Sequence, residues 1–209
     1  MLPMKRIILF IPVLFFSILF SFGQSSFNSG LQFGLNATQV TGDQLAGFHK
    51  AGIFAGIFVN HKLGRLGDIQ MEINFTQKGS RKNAKPDEGI YSSYLMRLNY
   101  IAVPIFYRFN IKEPLSIDVG LEAAYLINAR ERDENGWIEP DMTVPYFKDF
   151  DFSIFAGLGV EINDHFRFVF RYSYSIVPIR PRPPGNYYYG YWDAGQYNEV
   201  LTGTFQYQF

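Results

Sequence analysis

The sequence contains no cysteine, only three histidines and no net charge, Lys+Arg 19 being matched by Asp+Glu 19 over 209 residues. Without cysteine there is no disulfide scaffold, no thiolate nucleophile and no Cys-based zinc site. Without a basic excess there is no electrostatic footprint for nucleic acid. Beyond Gln24 the longest apolar run is Ala51 to Val59, far short of the roughly 18 residues that a membrane-spanning helix requires, so a helical membrane protein is excluded. What the chain has in abundance is aromatic side chains, Phe 22 and Tyr 14, at a mean hydropathy of only -0.05. Rings at that density need either a large core or a non-aqueous surface to lie against. The length fits one domain.

The N-terminus is organised differently from the rest. Lys5 and Arg6 precede an apolar stretch from Ile7 to Phe16, which continues past Ser17 to Phe22 and ends on the small residue Gly23. A basic start, an apolar centre and a small-residue exit form an export signal, expected to be cleaved after Gly23. The competing reading, a retained anchor, lacks a positive stop-transfer cluster on its far side. The expected organisation is therefore a signal peptide over residues 1–23 and one β-barrel domain over residues 24–209.

Beyond the signal the pattern has period two. Leu115, Ile117, Val119, Leu121, Ala123, Tyr125 and Ile127 alternate with Ser116, Asp118, Gly120, Glu122, Ala124, Leu126 and Asn128. Ile69 to Lys78, Phe152 to Ile162, His165 to Ile176 and Leu201 to Phe209 repeat the scheme, each a strand with one apolar and one polar face. Weaker versions over Gly30 to Val40, Lys50 to Val59 and Leu98 to Phe109 bring the expected count to eight. In these, Phe54, Phe58, Tyr100 and Phe106 fall on what should be the polar side. Short connections (60–67, 110–114, 163–165) alternate with long polar or Pro/Gly-rich ones (79–95, 129–150, 178–198), and only the first loop, 41–48, breaks the contrast. Short turns at one end, long loops at the other and an even strand number predict an eight-stranded antiparallel up-and-down transmembrane barrel.

Soluble eight-stranded carriers such as lipocalins turn their apolar face inward, so orientation must be argued. An eight-strand interior is barely wide enough for side chains to fill, and it cannot take the rings of Phe75, Tyr125, Phe152, Phe166, Phe168, Phe170, Tyr172, Tyr174, Phe205, Tyr207 and Phe209 together. The polar face interleaves Gly34, Gly120, Gly157, Gly159 and Ala124 with acids and arginines, which suits a crowded lumen. The apolar face is therefore expected to meet lipid, with rings at the strand ends forming interfacial girdles. Parity then sets register: the three-residue turn Asn163 to His165 places Glu161 opposite Arg167 and Gly157 opposite Arg171. The Asn110 to Pro114 turn places Arg108 opposite Ser116 and diagonal to Asp118. The lumen is thus expected to hold Glu72, Asp118, Glu122 and Glu161 against Lys78, Arg108, Arg167 and Arg171. Such balance in a narrow barrel points to a packed ion-pair network before it points to a conduction path.

The run Leu201, Gly203, Phe205, Tyr207, Phe209 resembles the C-terminal signal read by the barrel-assembly machinery, with Phe205, Tyr207 and Phe209 as its aromatic positions. Catalysis finds little support. His61 and His165 lie in short turns, no Gly-x-Ser-x-Gly elbow is present, and His49 with Asp43 nearby reads as a solvated loop pair. The acids Asp133, Glu134, Glu139, Asp141 and Asp149 lack metal-ligand spacing. No catalytic, metal or cofactor site is expected. The last long loop carries Arg180, Arg182, Tyr187, Tyr188, Tyr189, Tyr191 and Trp192, residue types that dominate binding hot spots. Two readings of it stand side by side, a recognition surface and rings folded over the barrel mouth or against headgroups.

Gly34-Leu35-Asn36, Val40-Thr41-Gly42-Asp43, Gly47-Phe48-His49, Ala51-Gly52, Gln77-Lys78-Gly79 and Leu98-Asn99-Tyr100-Ile101-Ala102-Val103-Pro104 resemble the PorT-type outer-membrane β-barrel family of Bacteroidetes. Gln24 after the expected cleavage site is typical of exported proteins in that group. Ala102 stands where such proteins often carry an acid. The resemblance implies a Gram-negative outer-membrane barrel, and its name-giving member is implicated in type IX secretion. The expected function is a non-enzymatic interaction or assembly component of the envelope, a monomer in outer-membrane lipid whose partners are secretion or envelope proteins. A small-solute porin is the first alternative, a barrel enzyme the second. The barrel reading predicts a heat-modifiable protein: cell fractionation followed by electrophoresis should show an outer-membrane band whose migration changes on boiling.

Overall fold

Alternation over most of the chain forces extended backbone, and the computed structural model, which describes residues 27–43, 45, 47–64, 66–139, 146–181 and 195–209, shows how the strands close. Eight long strands follow one another: β1 (Phe27–Thr41), β2 (Lys50–Lys62), β3 (Gly67–Lys78), β4 (Tyr94–Lys112), β5 (Leu115–Asp133), β6 (Phe150–Glu161), β7 (Phe166–Ser175) and β8 (Tyr197–Gln208). Each pairs antiparallel with its neighbours in sequence, and β1 pairs with β8 from Gly30↔Gln208 to Thr41↔Tyr197, so the sheet closes on itself. Two short strands, Arg81–Lys82 and Gly136–Ile138, add to the ends of β4 and β5 on the long-loop side. Residues 1–23, expected to form the export signal, lie outside the described residues.

The faces divide as the alternation requires. Leu31, Phe33, Leu35, Ile53, Ile57, Leu121, Ile154, Leu158 and Phe170 are exposed on the outer wall, while Gln32, Asn36, Gln70, Asn74, Thr202 and Gln206 are buried inside it. An apolar exterior around a polar interior is the arrangement for lipid, where only a closed barrel satisfies every strand's backbone groups. Rings cluster near the short-turn end, His165, Phe166, Tyr207 and Phe209 forming a chain of contacts at 5.0–6.0 Å between centroids.

The four aromatics that fell on the polar face do point inward. Phe54, Phe58, Tyr100 and Phe106 are all buried, and three of them sit across from glycine: Phe54 from Gly34, Phe58 from Gly30 and Phe106 from Gly120. At Gly30 and Gly120 the missing side chain is what admits the ring, whereas a Cβ on Gly34 would meet Gly203 and Thr204. A Cβ on Gly30 would lie 2.4 Å from the Phe58 ring and 2.1 Å from the Tyr207 carbonyl. Phe155, buried as well, uses Gly120 from the other side.

The register of the β6–β7 hairpin has Glu161 opposite Arg167 and Gly157 opposite Arg171. Its turn is held by Asn163, whose Oδ1 accepts from the amides of His165 and Phe166 at 3.0 and 2.9 Å. The β4–β5 hairpin departs from expectation. The strands reach the two-residue turn Glu113-Pro114, and an extra residue, Ile111, lies between the pairs Asn110↔Ser116 and Lys112↔Leu115, so Arg108 stands directly opposite Asp118. A bulge absorbs a residue that parity counting cannot see. The same two strands also run past their expected outer limits, pairing Tyr94–Asn99 with Asn128–Asp133 as a two-stranded extension of their hairpin at the long-loop end. A second register shift, between Asn99 and Tyr100, marks its base.

Gly30→Ala is expected to destabilise the barrel by about 1–3 kcal/mol, the scale of overpacking, because ring and carbonyl both obstruct the new methyl at the closing seam. Gly203→Ala, whose methyl would meet only Phe168 at 3.6 Å, should be close to neutral. Urea unfolding midpoints of the two variants in lipid provide the comparison.

Candidate functional site

Inward-facing charges on β3 to β7 meet along the barrel axis in three layers. Toward the long-loop end, Lys78 Nζ lies 2.8 Å from Glu122 Oε1 and 3.0 Å from Asp151 Oδ2, and Asn198 Nδ2 donates to the same Asp151 oxygen at 2.9 Å. In the middle, Arg171 donates through Nη1 and Nη2 to both oxygens of Glu72, each at 3.2 Å. Its guanidinium lies 4.7 Å from the Phe106 ring centre and 4.2 Å from that of Phe155, so the two inward rings form a slot for one cation. Toward the short-turn end, Arg108 Nε and Arg167 Nη2 share Asp118 Oδ1 at 3.2 and 3.1 Å, while Asp118 Oδ2 faces Arg171 at 4.0 Å. The Arg167 guanidinium also bonds Ser116 and rests on Gly159, where a Cβ would lie 2.0 Å from Nη2.

Of the eight residues expected in the lumen network, Glu72, Lys78, Arg108, Asp118, Glu122, Arg167 and Arg171 are brought together and buried. Glu161 is not: it is exposed at the short-turn rim, lining the mouth of a cavity of about 560 Å³ with Asn60, Lys62, Arg108, Arg167 and Gln206. Position on a strand gave its face but not its depth. Asp151, fully buried, is the residue that sequence reasoning missed. It lies one step before the Phe152 pattern, on the inward parity, and was hidden by being counted next to a loop.

The outer mouth is closed differently. Val40, Met96, Leu98 and Ile179 form an apolar cluster with Tyr100, Ala102 and Ala124. Ile179 comes from the last long loop and enters the barrel mouth, its amide donating to the Gln196 carbonyl at 2.8 Å. Arg180 beside it forms a bidentate pair with Glu131 at 2.6 and 2.8 Å, donates to Gln196 at 2.7 Å and stacks on Phe147 at 4.3 Å. Arg180 was expected as a recognition residue, whereas it is buried and holds the plug. Tyr94 donates to Glu131, and burial together with that carboxylate holds its phenol above the ordinary range. Burial likewise raises the carboxyl of Asp43 on the neighbouring loop. Arg182, Tyr187, Tyr188, Tyr189, Tyr191 and Trp192 lie outside the described residues.

His49 and Asp43 do not meet, Asp43 Oδ1 instead accepting from the amide of Leu45 at 2.8 Å. Among the described residues no group of three metal-binding side chains is assembled. Phe205 is exposed on the outer wall, its ring 5.0 Å from that of Phe168 and 5.9 Å from that of Phe33.

Closed pairing, an apolar exterior and a charged interior together describe a barrel built for lipid, and residues 22–180 match the model of the outer membrane protein beta-barrel domain family. The chain belongs to that family. Its place is the outer membrane of a Gram-negative bacterium. Solved structures of similar fold include Neisserial surface protein A, at 12% identity and TM-score 0.53 over 90% of this chain and 99% of that one. Also similar are the attachment invasion locus protein Ail of Yersinia pestis (13%, 0.48, 89% and 100%) and OprG of Pseudomonas aeruginosa (9%, 0.38, 88% and 94%). No curated relative matches the sequence.

For this outer-membrane barrel the central pair is open to direct test. Arg171→Ala leaves Glu72 buried beside no guanidinium and should cost roughly 3–5 kcal/mol, the usual penalty for orphaning a buried charge. The double variant Arg171→Met/Glu72→Gln should recover most of that loss. Equilibrium unfolding of both in lipid vesicles checks the order.

Proposed function

We propose that the protein is a non-enzymatic, non-conducting component of the outer membrane that works through its external surfaces, as an interaction or assembly partner of envelope proteins. The observation that carries this reading is the filled lumen. Lys78, Arg171 and Arg108 with their acids occupy successive levels of a narrow barrel, and Ile179 with Arg180 occupies the outer mouth. A solute path would have to break buried ion pairs in series, two of them bidentate, each of which resists the loss of a partner. The PorT-type resemblance extends the reading to a role accessory to secretion. Tyr187, Tyr188, Tyr189, Tyr191 and Trp192, which fall in sequence within the long connection 178–198, are residue types that dominate binding hot spots and support contact with a protein partner. The barrel works as a monomer, inserted through the assembly machinery by way of Phe205, Tyr207 and Phe209.

Two measurements address this. In planar bilayers the purified barrel should give no stable single-channel steps, and a steady ohmic conductance would establish the porin reading instead. Deletion of the gene should alter surface-exposed cargo or envelope integrity, whereas an unchanged surface proteome with intact barrier function removes the assembly role.

A further inference from the structure

The extended hairpin of β4 and β5 carries a cluster of arginines that the lumen does not use. Arg97 and Arg130 are cross-strand partners, both exposed on the outward face. Like charges directly opposite in a sheet, with Cβ atoms about 5 Å apart, destabilise it. Arg132, two residues on, is also exposed, and Trp137 stands opposite it on the short added strand. The guanidinium carbons of Arg130 and Arg132 lie 6.0 and 5.9 Å from the centre of the Trp137 ring, which is itself exposed. Three cations and an indole thus converge on one patch.

Acids on the same hairpin are spoken for elsewhere. Glu131 turns inward to Arg180. Asp133 Oδ1 accepts from the amides of Asn135 and Gly136 at 2.7 and 3.1 Å, and Glu134 accepts from the Ser93 amide at 3.3 Å. Glu139, exposed two residues beyond Trp137, forms no ion pair with the three arginines among the described residues. Among the described residues no carboxylate forms an ion pair with any of the three guanidiniums gathered on this surface.

Height identifies what supplies it. Tyr125, Ile127, Phe150 and Ile101 are exposed on the same outer surface just below, at the top of the apolar wall. Arg130 lies three residues past Ile127, about 10 Å along a strand and about 7 Å along the membrane normal at a 45° tilt. The headgroup layer is about 5–8 Å deep on each side of the hydrocarbon. Arg130 and its partner Arg97 therefore sit at headgroup level, facing sideways into the outer leaflet, and Arg132 with Trp137 stands about 5 Å higher along the normal, just above them. Planar forks bind phosphate bidentately, and the exposed indole lies within about 6 Å of the Arg130 and Arg132 guanidiniums, where it holds the forks side by side.

We infer that Arg97, Arg130 and Arg132, with Trp137, form a binding site for the phosphorylated headgroup of an outer-leaflet glycolipid. The phosphate provides the charge that separates Arg97 from Arg130 electrostatically and fixes the hairpin against the membrane surface. Neither the lumen nor any protein partner enters this interaction.

The full-length folded barrel, reconstituted with bisphosphorylated lipid A in phosphatidylcholine nanodiscs and released for native mass spectrometry, should retain lipid A. Dephosphorylated lipid A should be retained roughly tenfold less or weaker still, the scale of one lost charge-assisted contact. Arg97→Gln/Arg130→Gln/Arg132→Gln should lose the preference while keeping the heat-modifiable band. In case the triple variant fails to fold, the single variant Arg130→Gln, read by the change in Trp137 emission in a Trp192→Phe background, provides the second measurement. Equal retention of both lipids by the unaltered protein, or full retention by a folded triple variant, overturns the site. Arginine-dependent binding of a soluble sulfated oligosaccharide with no retention of lipid A overturns the assignment to lipid.

Discussion

In hydrocarbon no water is present to satisfy a backbone N–H or C=O, and this constraint governs the molecule from its closure inward. The seam between β1 and β8 removes the last free edge. Once eight strands are joined in a ring, the interior is nearly fixed in width, and each inward position becomes a choice of volume. Glycine opposite phenylalanine, as at Gly30–Phe58, Gly34–Phe54 and Gly120–Phe106, keeps the sum of volumes within that width while retaining ring contacts.

The same narrowness explains the charges. A wider barrel could leave arginines fully hydrated, but here they are buried, so each needs a partner whose position is set by the sheet. The partners are not evenly distributed. Two acids, Glu122 and Asp151, face the single cation Lys78 toward the long-loop end, and two cations, Arg108 and Arg167, share the single acid Asp118 toward the other. Arg171 and Glu72 bridge the excesses, with Arg171 also approaching Asp118. Buried ion pairs add little net stability over apolar packing, but they discriminate between registers: slipping one strand by a single residue would turn its charges into the lipid.

Most of this was legible in the sequence because period two converts directly into faces. The strands from Ile69 and Leu115, and the Glu161–Arg167 register across a three-residue turn, follow from counting. Counting failed where the backbone does. The Ile111 bulge moves Arg108 from Ser116 to Asp118, and no side-chain pattern announces it. Contacts distant in sequence and set by loop packing, such as Arg180 with Glu131, leave no periodic trace either.

The larger failure, taking Tyr94–Leu95 and Ala129–Asp133 for loop and starting the strand only at Leu98, has a single physical cause. Within the membrane the outward residues are apolar and the inward ones polar. Above the shift at Asn99 and Tyr100 the sense reverses: Met96 and Leu98 point in to pack with Val40 and Ile179, and Arg97, Arg130 and Arg132 point out. The strands continue, but the solvent on their outer side changes from acyl chains to headgroups and water, so apolar side chains gather inside, around the buried Glu131–Arg180 pair, and charged ones face out. A reading that keeps one polarity throughout sees the pattern dissolve where it has inverted. The inversion is thus a marker of the outer membrane boundary written in the sequence, and it accounts for the apolar plug and the arginine patch together, as the two faces of one hairpin crossing from lipid into water.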